Sequence, residues 1–246
     1  MSSDALSSSI SPDINYDYED ILIDAWNSLS DVETFLAKYN HENGYKDPVT
    51  NTKLRIGNTI YFPRTSSGET YYDAFVIVGF DLEHNRTASD GTVYDNGYGI
   101  FLMTSSFYTS AVYGSNSSTG GYLDSYLHKT TLPSIVSDFT KIMGSHIIER
   151  NVLLSSSNDS SGATNYTWTT SKATVLSVTQ YNGDLTGYGN KYDIGEANYK
   201  LPYFNYPSIS TIGWFRNLSG YLNSSYQAYA LNNGNISSKN ILHQGV

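Results

Sequence analysis

The run Ala74-Phe75-Val76-Ile77-Val78, at the centre of a strand-like stretch from Tyr71 to Phe80, constrains the fold of this chain more than any other segment. Side chains alternate between the two faces of a strand, so five successive apolar positions make this one too apolar for an exposed sheet edge. Asn58 to Phe62 reads as a second strand, and the Asp90-Gly91 and Asp95-Asn96-Gly97 turns lead into a third, Tyr98 to Thr104. The composition agrees with a β- and turn-rich domain: 23 Tyr stand against 9 Phe, only 15% of residues are charged, and Ser, Thr, Asn and Gly are abundant. A length of 246 residues is enough to bury a real core, and one main domain with an N-terminal appendage is expected.

The appendage has two parts. Residues 1–18 are Ser-rich and acidic and read as a flexible or partner-ordered arm; residues 19–45 read as a helical segment, and 46–246 as the main domain. Ile21, Leu22, Ala25, Trp26, Leu29, Val32, Phe35, Leu36 and Tyr39 recur at three- and four-residue spacing, and Ser30-Asp31-Val32-Glu33 has the form of a capping box. Trp26, Phe35 and Leu36 lie on one stripe with more apolar surface than an isolated helix can bury, which points to assembly. A chain lacking residues 1–40 is expected to fold but to lose that assembly.

Two short helices are predicted over residues 122–131 and 134–143, the second opened by Pro133 and stopped by Gly144. Strands are predicted from Ile147 to Ser155 and from Ala173 to Val178, with Ser156 to Gly162 a polar loop between them. The end of the chain alternates again through Trp214-Phe215, Ser225 to Leu231, a turn at Asn232-Asn233-Gly234, and Ile236 to His243.

A net charge of −9, with 14 Lys and Arg forming no run, argues against a nucleic-acid partner. The absence of Cys removes disulfides, thiolate metal sites and Cys nucleophiles. Met1 to Asp20 carries neither the basic nor the apolar region of a secretory signal, and no window approaches the ~18 consecutive apolar residues of a membrane span, so no membrane insertion is expected. His41, His84, His128, His146 and His243 are scattered without a zinc-binding pair, and no Gly-x-Ser-x-Gly elbow or marked pair of carboxylates is present. The sequence points to no catalytic residue, no metal and no cofactor. Asp81, Glu83, Asp90, Asp95 and Asn96 could offer oxygens to Ca²⁺, but their spacing is not that of an EF-hand, and a solvated acidic loop is the plainer reading.

Binding candidates come from two places. Tyr188, Tyr192, Tyr199, Tyr203 and Tyr206 crowd the Gly-, Tyr- and Asn-rich stretch from Asn182 to Pro207, offering apolar area and hydroxyls at small entropic cost to a glycan or a protein. Trp214 and Arg216 are alternate strand positions on one face: the structural reading packs Trp214 in a core and sets Arg216 on buried oxygens, and the binding reading gives Arg216 to a ligand.

Gly213-Trp214-Phe215-Arg216-Asn217, followed by Asn232-Asn233-Gly234-Asn235-Ile236 and Gly245-Val246, resembles the ending Trp-(Leu/Phe)-Arg-Ser, strand, Asn/Asp-Gly turn, strand, Gly-Val-Arg-Pro. That ending belongs to an uncharacterised family of domains frequent in gut bacteria and their phages. The family is related to the C-type-lectin-like fold of formylglycine-generating enzymes and phage tropism determinants. Gly57 to Phe62 resembles its opening strand, Ile100 to Thr104 its core strand, Gly121 to Leu127 its small-residue-then-helix segment, and Ser171 to Ser177 its Asp-Lys-x-Phe-Leu-Leu-Ser strand. Asn217 departs from the usual Ser, and Val246 stands just before the expected Arg-Pro and last apolar strand; either the sequence is trimmed there or a neighbour completes the sheet.

The resemblance implies an α+β C-type-lectin-like domain with a twisted antiparallel sheet and short helices. It further implies a non-enzymatic virion protein on a phage head, collar or tail, forming homo-oligomers and binding other virion proteins or a host-surface glycan or protein. A bacterial cell-surface adhesion module and a tail-associated glycan hydrolase are the alternatives.

Overall fold

The structure, a computed structural model, describes residues 26–66, 68–88, 90–104, 120–159, 162–182, 200–205, 213–222, 225–232 and 235–240. The protein is mixed α+β, with antiparallel sheets and few helices among these residues. Its principal sheet has the order β1 (Thr59–Ser66), β2 (Glu69–Phe80), β5 (Ile100–Met103), so the apolar run lies in the central strand, as its composition requires. β1 pairs with β2 from Thr59↔Val76 to Ser66↔Glu69, and β2 pairs with β5 from Val76↔Met103 to Phe80↔Ile100.

Both faces of this sheet are covered. Phe75 and Ile77 point into the main core with Ile60 and Phe62, whereas Val78 joins Leu201 and Phe204 on the opposite side. Strict alternation would place Phe80 with Val78. A register shift between Ile77 and Gly79 turns Phe80 back to the main core instead, because one extra residue inverts the facing of all that follow.

α1 (Leu29–Lys38) starts two residues earlier than the Ser30 capping box predicts. Ser28 Oγ accepts the Asp31 N–H at 3.3 Å, while the Asp31 carboxylate takes the N–H groups of Ser28 at 2.9 Å and Asn27 at 2.8 Å. A carboxylate at the third helical position thus satisfies two donors, so Ser28 rather than Ser30 is the cap. Just before it, the Trp26 N–H donates to the Tyr61 carbonyl at 2.9 Å, which ties this end of the described chain to β1.

That tie corrects two expectations. Trp26 and Phe35 are 5% and 7% exposed within the domain's own core, and Leu36 packs against the same cluster. Trp26 meets Phe35 and Phe62 edge to face at 4.8 and 5.1 Å, and Phe139 of a later helix meets Phe62 and Phe75 at 5.4 and 4.8 Å. The stripe has a partner, and the partner is the sheet, so these three residues do not form an assembly surface. The boundary at 45/46 also dissolves: Tyr45 and Leu54 sit in the same core, and the Leu54 N–H donates to the Tyr45 carbonyl at 2.9 Å. A chain lacking residues 1–40 would lose Trp26, Val32 and Phe35 from that core and is now expected not to fold. Residues 1–18 lie outside the described residues.

The helix predicted over 122–131 is a 3₁₀ turn, Tyr122–Asp124, and a π turn, Leu127–Thr131, which runs straight into α2 (Leu132–Met143). Gly121 precedes them at φ 65°, and a Cβ there would lie 2.5 Å from the Ser155 carbonyl oxygen, so only glycine lets the turn approach the Ser155 backbone this closely. Pro133 in the first turn and Gly144 at the C-cap, φ 56°, frame α2 as the sequence predicts.

The sequence misplaces the next hairpin. β6 (Arg150–Asp159) pairs with β7 (Gly162–Ser171), so residues 156–159 and Gly162, read as part of a polar loop, lie in a long two-stranded sheet, and residues 173–177 form no strand. β7 hides its alternation because its β-formers are Thr, Tyr and Trp rather than Val and Ile. The run Ala173 to Leu176 is cut short by Ser177, whose hydroxyl accepts the Gln180 N–H at 3.0 Å and starts α3 (Val178–Asn182). Last come β8 (Gly213–Leu222), β9 (Ser225–Asn232) and β10 (Asn235–Asn240), an antiparallel sheet of order β10-β9-β8.

Candidate functional site

Among the described residues, the region that joins most polar groups of different origin is the connection between β2 and β5. It contains a minimal hairpin, β3 (Arg86–Thr87) with β4 (Val93–Tyr94), and it is fixed from three sides.

On the first side, Glu83 is fully buried and pairs with the Arg150 guanidinium at the start of β6. The same guanidinium donates to Thr174 Oγ1 at 3.3 Å and lies 5.8 Å from the Phe101 ring centroid. Asn96 completes this corner: its Nδ2 donates to Glu83 Oε2 at 2.8 Å and to the Asn151 carbonyl at 3.0 Å, and its Oδ1 accepts the Asn151 N–H at 2.7 Å. These donors offset the cost of taking the Glu83 carboxylate out of water.

On the second side, the tip of the small hairpin rests on β7. Asp90 accepts the Trp168 indole N–H at 3.0 Å, and Tyr94 packs on the Trp168 ring at 5.3 Å beside buried Ala88 and Leu153. The Thr92 backbone N–H, and after it the Thr92 hydroxyl and Trp168, hold the Asp90 carboxyl below the usual carboxylate range.

The third side faces the turn after α1. Asp81 accepts from the Tyr45 hydroxyl, from the Gly99 N–H at 2.9 Å and from His41 Nδ1 at 2.7 Å. Burial and the Asp81 carboxylate push the Tyr45 hydroxyl well above its ordinary value, so it remains a donor. Asp95 accepts the Gly97 N–H at 2.7 Å and faces His84 Nδ1 at 3.0 Å; the Gly97 bond first, then His84, keep its carboxyl low.

Between the two imidazoles stands Tyr98. His41 stacks on it with ring centroids 3.4 Å apart and 9° between planes, and His84 leans on it at 4.1 Å and 42°. Tyr98 nonetheless remains 47% exposed, and Ile148, 44% exposed, borders Gly99. The surface formed here is a fixed ridge: two carboxylate-oriented histidines, a tyrosine edge and an isoleucine.

This arrangement accounts differently for the residues considered for calcium. Asp81, Glu83, Asp90, Asp95 and Asn96 each bond protein donors, and no group of three or more His, Asp or Glu among the described residues could hold a metal ion. Of the candidate tyrosines, Tyr203 packs against the Val78, Leu201 and Phe204 cluster, 5.5 Å from the Phe204 ring. Tyr188, Tyr192, Tyr199 and Tyr206 lie outside the described residues, as do the side chains of Trp214 and Arg216, whose backbone lies in β8. The ridge itself escaped the sequence reading because His41, His84 and Tyr98 are remote from one another; the only local signal was two Asp residues beside turn glycines.

No helix among the described residues is long and apolar enough to cross a membrane. Comparison with protein-family models, with curated proteins and with solved structures finds no match.

Proposed function

We propose that this chain is a non-enzymatic phage virion protein whose C-type-lectin-like domain binds neighbouring subunits or a host surface, with the β2–β5 connection as its contact. The observation that carries the binding role is the ridge around Tyr98: an exposed tyrosine and isoleucine on a connection held rigid by Glu83, Asn96, Asp90 and Asp81. Rigid display of a loop on a scaffold lowers the entropy lost on binding.

The chemistry favours a protein partner over a glycan. Sugar rings stack on open aromatic faces, and both faces of Tyr98 carry an imidazole, which leaves its edge and hydroxyl for contact. The virion assignment rests on the resemblance. In its support, β8 begins at Gly213 of the terminal motif, Asn233-Gly234 falls between β9 and β10, and β1 and β5 begin within the matching opening and core segments. Against it, Ser171 ends β7 and residues 172–177 form no strand.

Mass spectrometry of purified particles from a culture producing the protein tests the assignment, with Tyr98→Ala and Ile148→Asp as site variants. The expected result is the full chain in particles at structural copy number, reduced by either variant while thermal stability is kept. Absence of the full chain from particles, or undiminished incorporation of both variants, would reject the virion reading or the ridge respectively. A chain lacking residues 1–25, which keeps Trp26, examines the arm without opening the core.

A further inference from the structure

Asn96 has a neighbour that makes its position chemically vulnerable. Asn-Gly pairs rearrange spontaneously because glycine does not shield its own backbone nitrogen from the preceding amide carbonyl. In the folded protein Asn96-Gly97 is shielded in three ways. The Asn96 amide is held at both ends, by Glu83 Oε2 and the Asn151 carbonyl on the nitrogen and by the Asn151 N–H on the oxygen. The Gly97 N–H is occupied by Asp95 Oδ1 at 2.7 Å, and the Asn96 backbone N–H is bound to the Glu83 carbonyl at 2.9 Å.

We propose that Asn96-Gly97 is a latent modification site that reacts only when the β2–β5 connection opens and then keeps it from closing. The Gly97 nitrogen attacks Cγ of Asn96. A bond forms between that nitrogen and Cγ, the bond from Cγ to Nδ2 breaks, and Nδ2 leaves as ammonia with the proton from Gly97. Water then adds across one of the two imide C–N bonds of the succinimide, giving an aspartyl or an isoaspartyl linkage. No oxidant, metal or enzyme takes part.

The product cannot resume the native contacts. A carboxylate at position 96 has no N–H to donate, so oxygens would face Glu83 Oε2 and the Asn151 carbonyl across the spaces now spanned by bonds of 2.8 and 3.0 Å. Glu83 is fully buried and its other oxygen already takes Arg150, so a second negative charge beside it would keep only the Asn151 N–H that the Asn96 oxygen already accepts. Asn43-Gly44 supplies an internal contrast. Its amide bonds backbone groups, accepting from the Asn40 N–H and donating to the Lys38 carbonyl.

The test ages the full-length protein in mildly alkaline buffer, native and in urea, and follows conversion at Asn96 and Asn43 by peptide mapping. Conversion at Asn96 should be slower in the native protein by at least about tenfold, since local opening must come first. The converted native fraction, separated by ion exchange, should then exchange its residue 96 and Asn151 amides at least about tenfold faster than unaged protein, with Ile60 and Phe62 unchanged. Equal rates at Asn96 in native buffer and urea overturn the proposal, as does a converted fraction with undiminished protection. No conversion of native protein over a period that converts several half-lives in urea, corrected for the protection measured by exchange, overturns it too. Asn96→Asp should lose the same protection and Asn43→Asp should keep it; the reverse order overturns the mechanism of the block.

Discussion

The core around Phe62 and the connection around Glu83 are both fully buried at their centres, yet they are held by opposite means. Around Phe62, edge-to-face rings from Trp26, β2 and α2 pack together, and the attraction is non-directional. Around Glu83, a handful of directed bonds from Arg150 and Asn96 joins segments distant in sequence. The first arrangement spreads its stabilisation over many contacts; the second concentrates it, so that one wrong atom is felt at once.

The sharpest break of the apolar side is Phe62→Ala, which should cost about 3–5 kcal/mol in chemical denaturation, because the cavity would lie where rings from several elements meet. A loss below about 1 kcal/mol would mean that the core can collapse onto the gap. Glu83→Ala comes next at about 3 kcal/mol, since it leaves Arg150 desolvated and unpaired. Adding Arg150→Met to that variant should recover most of the loss, and a double mutant no better than the single would show that the pair is not what Glu83 supplies.

Smaller changes sharpen the contrast. Trp168→Phe keeps the ring against Tyr94 but deletes the solvent-exposed bond to Asp90, and should lower the denaturation midpoint less than Glu83→Ala does. Ser28→Ala removes the α1 cap, at about 1 kcal/mol, although the apolar stripe behind it remains. If Ser28→Ala proves costlier than Glu83→Ala, the division between spread and concentrated stabilisation fails.

The least of these effects is a slope against pH. Burial first, and Lys129 second, hold the His128 imidazole below its ordinary value, and its Nδ1 is buried without a hydrogen-bond partner. The unfolded chain therefore takes up this proton at higher pH than the folded one. The contribution is complete above about pH 6.5 and is lost as pH falls from there through the lowered folded value. His128→Gln should flatten the fall of the denaturation midpoint between neutral and mildly acidic buffer; an unchanged slope would assign that fall to other groups.

What the sequence made legible follows the same division. Non-directional packing leaves a periodic trace, so the central strand at Ala74 to Val78, the α1 stripe through Val32 and Phe35, and the frame of α2 between Pro133 and Gly144 could all be read. Directed bonds between remote residues leave none: nothing near Glu83 announces Arg150, and nothing near His41 announces Tyr98. The errors lie in where a pattern is completed. The stripe of Trp26 and Phe35 reads from sequence as needing another molecule, yet the sheet of its own domain covers it, and β7 escapes notice because its alternation is written in Thr and Tyr.

The contact of Phe139 with Phe62 and Phe75 has a consequence for synthesis of the protein. Trp26, Phe35 and Phe62 leave the ribosome before Phe139, the ring that closes their core and that follows them at long sequence separation. Until then, α1 and the β1–β2 hairpin form a half-built aromatic surface whose lasting partner has not yet been translated. Contacts of such long sequence separation slow folding and extend the time that apolar surface is open to wrong partners. The nascent polypeptide, rather than the finished protein, is therefore where this architecture is most exposed to aggregation.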